Sequence, residues 1–161
     1  MNKSVKAIWT GVASATVLSL AGFVGSVQAD IGIPGSACKA TGTAQAKLNV
    51  GDSGAVYNKN TAGSLKVTCP LAAMTYSTSD VYLNYVKRNS QSMSCTLHMR
   101  SWDGQSGSST TQSTTYNGSN FFYFGYYFFD YFNSVTCTLP AATGSTTASQ
   151  NGIFGAYVYQ F

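Results

Sequence analysis

Apolar residues recur at every second position through much of the chain. Leu65, Val67 and Cys69 form one track, Val81, Leu83 and Tyr85 a second, Met93, Cys95, Leu97 and Met99 a third, and Val135, Cys137 and Leu139 a fourth. A period of two places each set on one face of a β-strand, with the cysteines pointing inward. Helical periodicity is absent beyond residue 29, and clusters of Gly, Asn, Ser and Thr punctuate the chain at short intervals. This pattern predicts an all-β fold, a single disulfide-stapled antiparallel β-sandwich over residues 30–161.

Within that frame the most unusual stretch is NFFYFGYYFFDYF, residues 120–132. Phe and Tyr favour strands, and Gly125 and Asp130 interrupt the run too soon for a spanning helix. Phe122, Phe124, Tyr126, Phe128 and Phe132 share one parity and are expected to face the core. Phe121, Tyr123, Gly125, Tyr127, Phe129 and Tyr131 take the other parity, with a bend or bulge expected at Gly125. Tyr123, Tyr127 and Tyr131, with Trp102 and Tyr116, form the candidate binding surface. Segment 101–119, SWDGQSGSSTTQSTTYNGS, reads as a long loop or hairpin tip because it has no apolar stripe. Lys87-Arg88-Asn89-Ser90 reads as a polar hairpin turn into the Cys95 strand. In the closing IFGAYVYQF, Ile153, Tyr157, Tyr159 and Phe161 share a parity and are assigned to one strand face.

The N-terminus sets the compartment. Lys3 and Lys6 precede an apolar stretch from Ala7 to Val27, and Val27-Gln28-Ala29 offers a cleavage site, so residues 1–29 are expected to be removed as a signal peptide. The protein is then secreted, periplasmic or at the cell surface. In an exported chain, Cys38, Cys69, Cys95 and Cys137, with no CxxC, read as two disulfides rather than a metal or redox site. Three pairings are possible. The expected one joins Cys38 to Cys69 and Cys95 to Cys137, each closing a loop around its own part of the sandwich and contributing roughly 3.5 to 4 kcal/mol on the chain-entropy model. Their inward tracks suit staples between sheets.

Charged residues make up only 9% of the chain, against about 25% in typical soluble domains. Without Lys3 and Lys6, seven basic residues face five Asp and leave a net charge of +2, too weak and dispersed for a nucleic-acid footprint. The tetrapeptide GDSG at 51–54 resembles the nucleophile loop of trypsin-like proteases, but the single His98 follows Ser53 instead of preceding it, and a Gly-rich turn explains it better. His98 alternates with Leu97 and Met99, so it points away from the core. A glycosidase needs two convergent carboxylates, whereas Asp52, Asp80 and Asp103 suit turns and Asp130 suits a strand end. No catalytic residue, metal site or cofactor is indicated.

The segments GAVYNKNTAGSLKVTCPL (54–71) and SVTCTLP (134–140), with the final IFGAYVYQF, resemble an uncharacterised family of short secreted proteobacterial proteins. Its pattern is a Gly-x-x-x-Asn turn, a Val-x-Cys-Pro strand end, a Cys strand and a Cys-x-Leu-Pro strand end. The positions that carry it here are Cys38, Gly54, Asn58, Val67, Cys69, Pro70, Cys95, Cys137, Leu139 and Pro140. AGSLKVTC is more loosely similar to fimbrial-subunit and spore-coat-type β-sandwiches. The resemblance implies a fold and disulfides and no activity. The expected role is therefore non-enzymatic, structural or surface-binding, toward a protein or glycan partner, with self-assembly as a further possibility and no nucleic acid. Two alternatives remain: a small carbohydrate-binding or carbohydrate-cleaving protein, and an eight-stranded outer-membrane β-barrel suggested by the aromatic closing strand. Against membrane insertion, Phe154, Ala156 and Val158 make the opposite parity of that strand apolar too, which does not suit a polar lumen.

Overall fold

The structure is a computed structural model that describes residues 31–71, 77–101, 105–129 and 131–160. The expected signal peptide, Trp102, Asp103, Asp130 and Phe161 lie outside the described residues, and Tyr126–Phe129, Tyr131 and Phe132 are described by backbone alone. The strands are β1 (Ile31–Pro34), β2 (Lys39–Ala40), β3 (Leu48–Val50), β4 (Val56–Asn58), β5 (Leu65–Pro70), β6 (Ser77–Lys87), β7 (Met93–Ser101), β8 (Gly107–Thr114), β9 (Gly118–Phe129), β10 (Tyr131–Leu139) and β11 (Asn151–Gln160). They form two antiparallel sheets. Sheet A has the order β3-β4-β11-β6-β9, with β1 also pairing with β11, and sheet B has the order β2-β5-β10-β7-β8.

The period-two tracks become the shared core. Val81 and Leu83 of β6, Phe122 and Phe124 of β9, and Ile153, Ala156 and Val158 of β11 bury one face of sheet A. They belong to one cluster with Leu65 and Val67 of β5, Met93, Leu97 and Met99 of β7, and Val135 and Leu139 of β10 from sheet B. Each of the Val, Leu, Ile, Phe and Met side chains among them contributes about 1.5–3 kcal/mol through burial. The chain is thus an all-β sandwich. Neither sheet closes on itself among the described residues, so the outer-membrane barrel is not supported.

Both disulfides take the expected pairing, Cys38–Cys69 and Cys95–Cys137. Their placement differs from the expectation of inter-sheet staples. Cys95 and Cys137 are direct register partners on β7 and β10, and Cys38 precedes β2, whose Lys39 pairs with Thr68 next to Cys69. Both bonds therefore link neighbouring strands of sheet B. All four cysteines are buried, so the inward-facing reading holds.

Four further expectations change. Segment 107–114 is not a loop but β8, an edge strand paired along β7. Thr and Ser satisfy strand geometry without burying a face, and Thr111 Oγ1 lies 2.9 Å from Thr96 Oγ1. The segment at 87–90 is not a hairpin turn, because β6 and β7 lie in different sheets and this connection crosses between them. The aromatic run does not keep one parity. Phe122 pairs with Leu83 and Tyr123 with Tyr82, but Tyr126 pairs with Asp80, so Phe124 and Gly125 stand opposite Val81 alone. Gly125 has φ +85°, the conformation that makes a glycine bulge available. Beyond this bulge the pairing parity reverses, which removes the basis for grouping Tyr126 and Phe128 with Phe122, and Tyr131 and Phe132 begin β10 in the other sheet. A second bulge at Phe154 does the same in β11. Ile153 is buried opposite Tyr85, while Tyr157 and Tyr159 face outward.

Lys87 shows how the crossover is held. It is fully buried, and its Nζ donates to the Asn89 carbonyl, to Thr115 O at 2.8 Å and to Asn117 Oδ1 at 2.7 Å. Burial pushes its pKa below the ordinary lysine value, since desolvation disfavours the ammonium form. Asn58, also fully buried, explains the spacing of the family-like motif. Gly54, with φ +75°, turns the chain into β4, and Asn58 Nδ2 then donates to Pro140 O at 2.8 Å and Leu139 O at 3.2 Å. Asn151, its register partner, donates to Pro140 O at 3.2 Å and Ala141 O at 3.0 Å. The two amides of sheet A thereby satisfy the backbone where β10 leaves sheet B, and buried carbonyls need such partners.

Candidate functional site: the aromatic outer face of sheet A

The two bulges and the register of β1, β11, β6 and β9 assemble aromatic rings on the outer face of sheet A. Reading across the strands, Gly32 pairs with Tyr157, Tyr157 with Tyr82, and Tyr82 with Tyr123. One step along, Gly155 pairs with Asn84 and Asn84 with Phe121; one step the other way, Tyr159 pairs with Asp80. Tyr82 is the hub. Its ring centroid lies 5.0 Å from Tyr123, 5.4 Å from Tyr159 and 5.5 Å from Phe121. The Tyr159 and Phe121 contacts are edge-to-face, the arrangement the ring quadrupole favours.

The outer rings nonetheless remain open to solvent. Phe121 is 51% exposed, Tyr123 45%, Tyr157 44% and Tyr159 40%. Between them lies a groove of about 400 Å³ lined by Tyr82, Asn84, Phe121, Tyr157 and Tyr159. A second groove of about 390 Å³ shares Asn84 and Phe121 and extends to Phe154, Ser119 and Asn120. Phe154, the bulged residue of β11, packs edge-on against Tyr57 at 6.4 Å and continues the aromatic surface toward β4.

The polar groups of this face lie beside the rings. Tyr123 Oη donates to Asp80 Oδ1 at 2.9 Å, which orients both side chains. Asp80 is therefore mid-strand, not in a turn as its sequence context suggests. The other described carboxylate, Asp52, does lie in the turn between β3 and β4, where Gly51 N donates to Ala55 O and Gly54 N to Gly51 O, both at 2.9 Å. His98 sits on the outer face of sheet B with Arg100, beside Ser108 and Ser109. Among the described residues no group of three His, Cys, Asp or Glu side chains could hold a metal ion, and no helix is long and apolar enough to cross a membrane.

Of the five residues proposed from sequence, only Tyr123 is placed in this patch. Tyr116 is exposed, but it lies in the connection from β8 to β9, near Gly118, whose partner Lys87 is at the far end of β6. Tyr127 belongs to β9 and Tyr131 to the start of β10 in the other sheet, with side chains not described, and Trp102 is outside the described residues. Sequence reasoning missed Tyr82, Tyr157, Tyr159, Asp80 and Asn84 as site residues. Tyr82 and Asn84 carried a usable signal, because they alternate with the inward track Val81, Leu83 and Tyr85.

The sequence matches no protein-family model and no curated protein. Among solved structures it is similar to the CBM36-1 domain of a multidomain xylanase from the hindgut metagenome of Trinervitermes trinervoides, at TM-score 0.49 and 10% identity over 81% of this chain and 96% of that one. It is also similar to CBM35 from Paenibacillus barcinonensis, at TM-score 0.46 and 10% identity over 81% and 97% of the two chains. For the Podospora anserina GH26-CBM35 β-(1,4)-mannanase the values are TM-score 0.43 and 10% identity, over 82% of this chain and 28% of that one.

Proposed function

We propose that the protein is an exported, non-enzymatic β-sandwich that binds a surface glycan through the outer face of sheet A. The row Tyr157–Tyr82–Tyr123, extended by Phe121 and Tyr159, carries this reading. Exposed aromatic clusters with a few polar groups at their border are interaction surfaces. The C–H faces of sugar rings pack on aromatic faces, while carboxylate and amide groups such as those of Asp80 and Asn84 bind sugar hydroxyls. Export is supported by the N-terminal sequence pattern and by two disulfides, which persist in oxidising compartments. The absence of catalysis is supported by the acids. Glycoside hydrolysis generally needs two carboxylates facing one another, whereas the two carboxylates among the described residues are apart, Asp80 in β6 and Asp52 in the turn joining β3 and β4, at the far end of sheet A.

Retention of the mature protein on insoluble cellulose, xylan, mannan and chitin tests this reading. Retention on at least one of them is expected, with no reducing sugar released. Tyr82→Ala is expected to weaken it about tenfold, the equivalent of ~1.4 kcal/mol, while both disulfides stay intact. Passage through all four matrices, or release of reducing sugar, would contradict it.

A further inference from the structure

Resting on the glycan reading, we infer that the ligand is a neutral β-(1,4)-linked pyranose chain lying across the strands, with about three sugars in contact, and that the site rejects acidic glycans. The direction follows from register, because Tyr157, Tyr82 and Tyr123 stand side by side on β11, β6 and β9. Neighbouring strands are about 4.8 Å apart, close to the length of one β-(1,4)-linked sugar. The Tyr82 and Tyr123 centroids keep that spacing at 5.0 Å, and Tyr157, the register neighbour of Tyr82, extends the row toward Gly32. Among the described residues the row comprises three rings. Beyond Tyr123, β9 is the sheet edge, and beyond Tyr157 stands Gly32, where a Cβ would already lie 3.4 Å from the Tyr157 ring.

The linkage follows from the face the sugar must present. In β-(1,4)-linked glucose and xylose the ring substituents are equatorial, so both faces are C–H surfaces, and successive units can turn over and still meet a ring. An axial hydroxyl pressed against an aromatic face loses its water and gains no hydrogen bond, which is costly. Asp80 and Asn84 flank Tyr82 two residues away on either side of the same strand face, in reach of the equatorial hydroxyls at the borders of the row.

Charge decides the rest. Asp80 is the one ionised group among the described residues that line or border the row, and no cation joins it. Of the exposed cations, Lys39, Lys66 and Arg100 belong to strands of sheet B, Lys47, Lys59 and Arg88 lie in the connections next to β3, β4 and β6, and none of the six lines either groove. A uronate carboxylate on the platform would meet the like charge of Asp80 and the negative faces of the rings.

Calorimetric titration with cello-oligosaccharides of one to six units, and with β-(1,4)-glucuronate oligomers of the same lengths, tests this. The two series share one backbone and differ in the carboxylate. Affinity for the neutral series is expected to rise about tenfold or more from one unit to three and then change by less than about twofold, with glucuronate trimers about tenfold weaker. Asp80→Asn, checked for an unchanged melting temperature, is expected to narrow the neutral-to-acidic ratio by about two- to fivefold, the range of an exposed charge pair. Glucuronate binding as tight as neutral binding, a ratio unmoved by Asp80→Asn, or a length dependence that ends at one unit or climbs through six would overturn the inference while leaving glycan binding intact. Failure of every glycan to bind, including the insoluble polysaccharides above, would instead remove the reading on which it rests.

Discussion

On the outer face of sheet B a cross-strand row runs Thr68, Thr136, Thr96, Thr111, with Oγ1 atoms 3.1 Å apart in the first pair and 2.9 Å in the last. On the outer face of sheet A the corresponding feature is Tyr157, Tyr82, Tyr123. Both rows are produced by the same alternation, and the core faces behind them are buried in the same way. What differs is the work assigned to each sheet. Sheet B carries both disulfides and an outer surface of hydroxyls that water solvates well, with little to gain from a partner. Sheet A has no cysteine and exposes rings whose apolar surface remains available to a ligand. On the proposed function, stability is thus reinforced in one sheet and recognition placed on the other.

The largest break in that division comes from the staples. Replacing Cys95 and Cys137 together by Ser should cost about 4 kcal/mol in denaturant unfolding, from the lost loop constraint of a 42-residue separation. The matching change at Cys38 and Cys69, with a separation of 31, should cost slightly less, about 3.7 kcal/mol. Neither pair touches the aromatic row, so glycan affinity measured on the fraction that remains folded should be unchanged.

Next in size is the crossover between the sheets. Lys87→Met removes an ammonium bound by three acceptors and leaves the Thr115 and Asn89 carbonyls without that partner, which should cost about 2 kcal/mol. The pH dependence separates charge from packing. Because the folded-state pKa of Lys87 lies below its unfolded value, the folded chain loses this proton first. Its contribution to stability is flat at lower pH and rises with pH through the interval between the two values, just below the ordinary lysine range. Chemical denaturation across that range should show this rise in the native protein and a smaller one in Lys87→Met.

Smaller effects belong to the two outer faces themselves. Tyr82→Ala removes three ring contacts from a half-buried position and should cost about 1–2 kcal/mol of stability. Thr96→Val on sheet B should change stability by no more than about 0.5 kcal/mol, because a β-branched residue is kept at an accessible site. Only the first should alter retention on polysaccharide.

The sequence announced these regions unevenly, for physical reasons. The core tracks around Cys69, Cys95 and Cys137 could be read directly because alternation is a local property of a strand with one face buried. β8 could not, since Gly107–Thr114 buries neither face and leaves no period to detect. The aromatic platform was half visible. Tyr123 and Phe121 follow from parity with the buried Phe122, but Tyr157 and Tyr159 were placed with Ile153 because the bulge at Phe154 shifts the register by one residue. A bulge is fixed by the partner strand as much as by its own sequence. Lys87 was hidden for a similar reason. Its acceptors Thr115 and Asn117 lie 28 and 30 residues away, so nothing near Lys87 signals that its charge is buried.

A titration of the isotopically labelled mature protein with cellotriose, followed by amide chemical shifts, tests the division of labour most directly. Shift changes confined to residues 80–84, 121–123 and 155–159, with residues 66–68, 94–98, 109–113 and 134–138 silent, are the predicted result. Changes centred on the threonine face of sheet B, or none anywhere with cellotriose or any other glycan that the insoluble matrices retain, would contradict the assignment of recognition to sheet A.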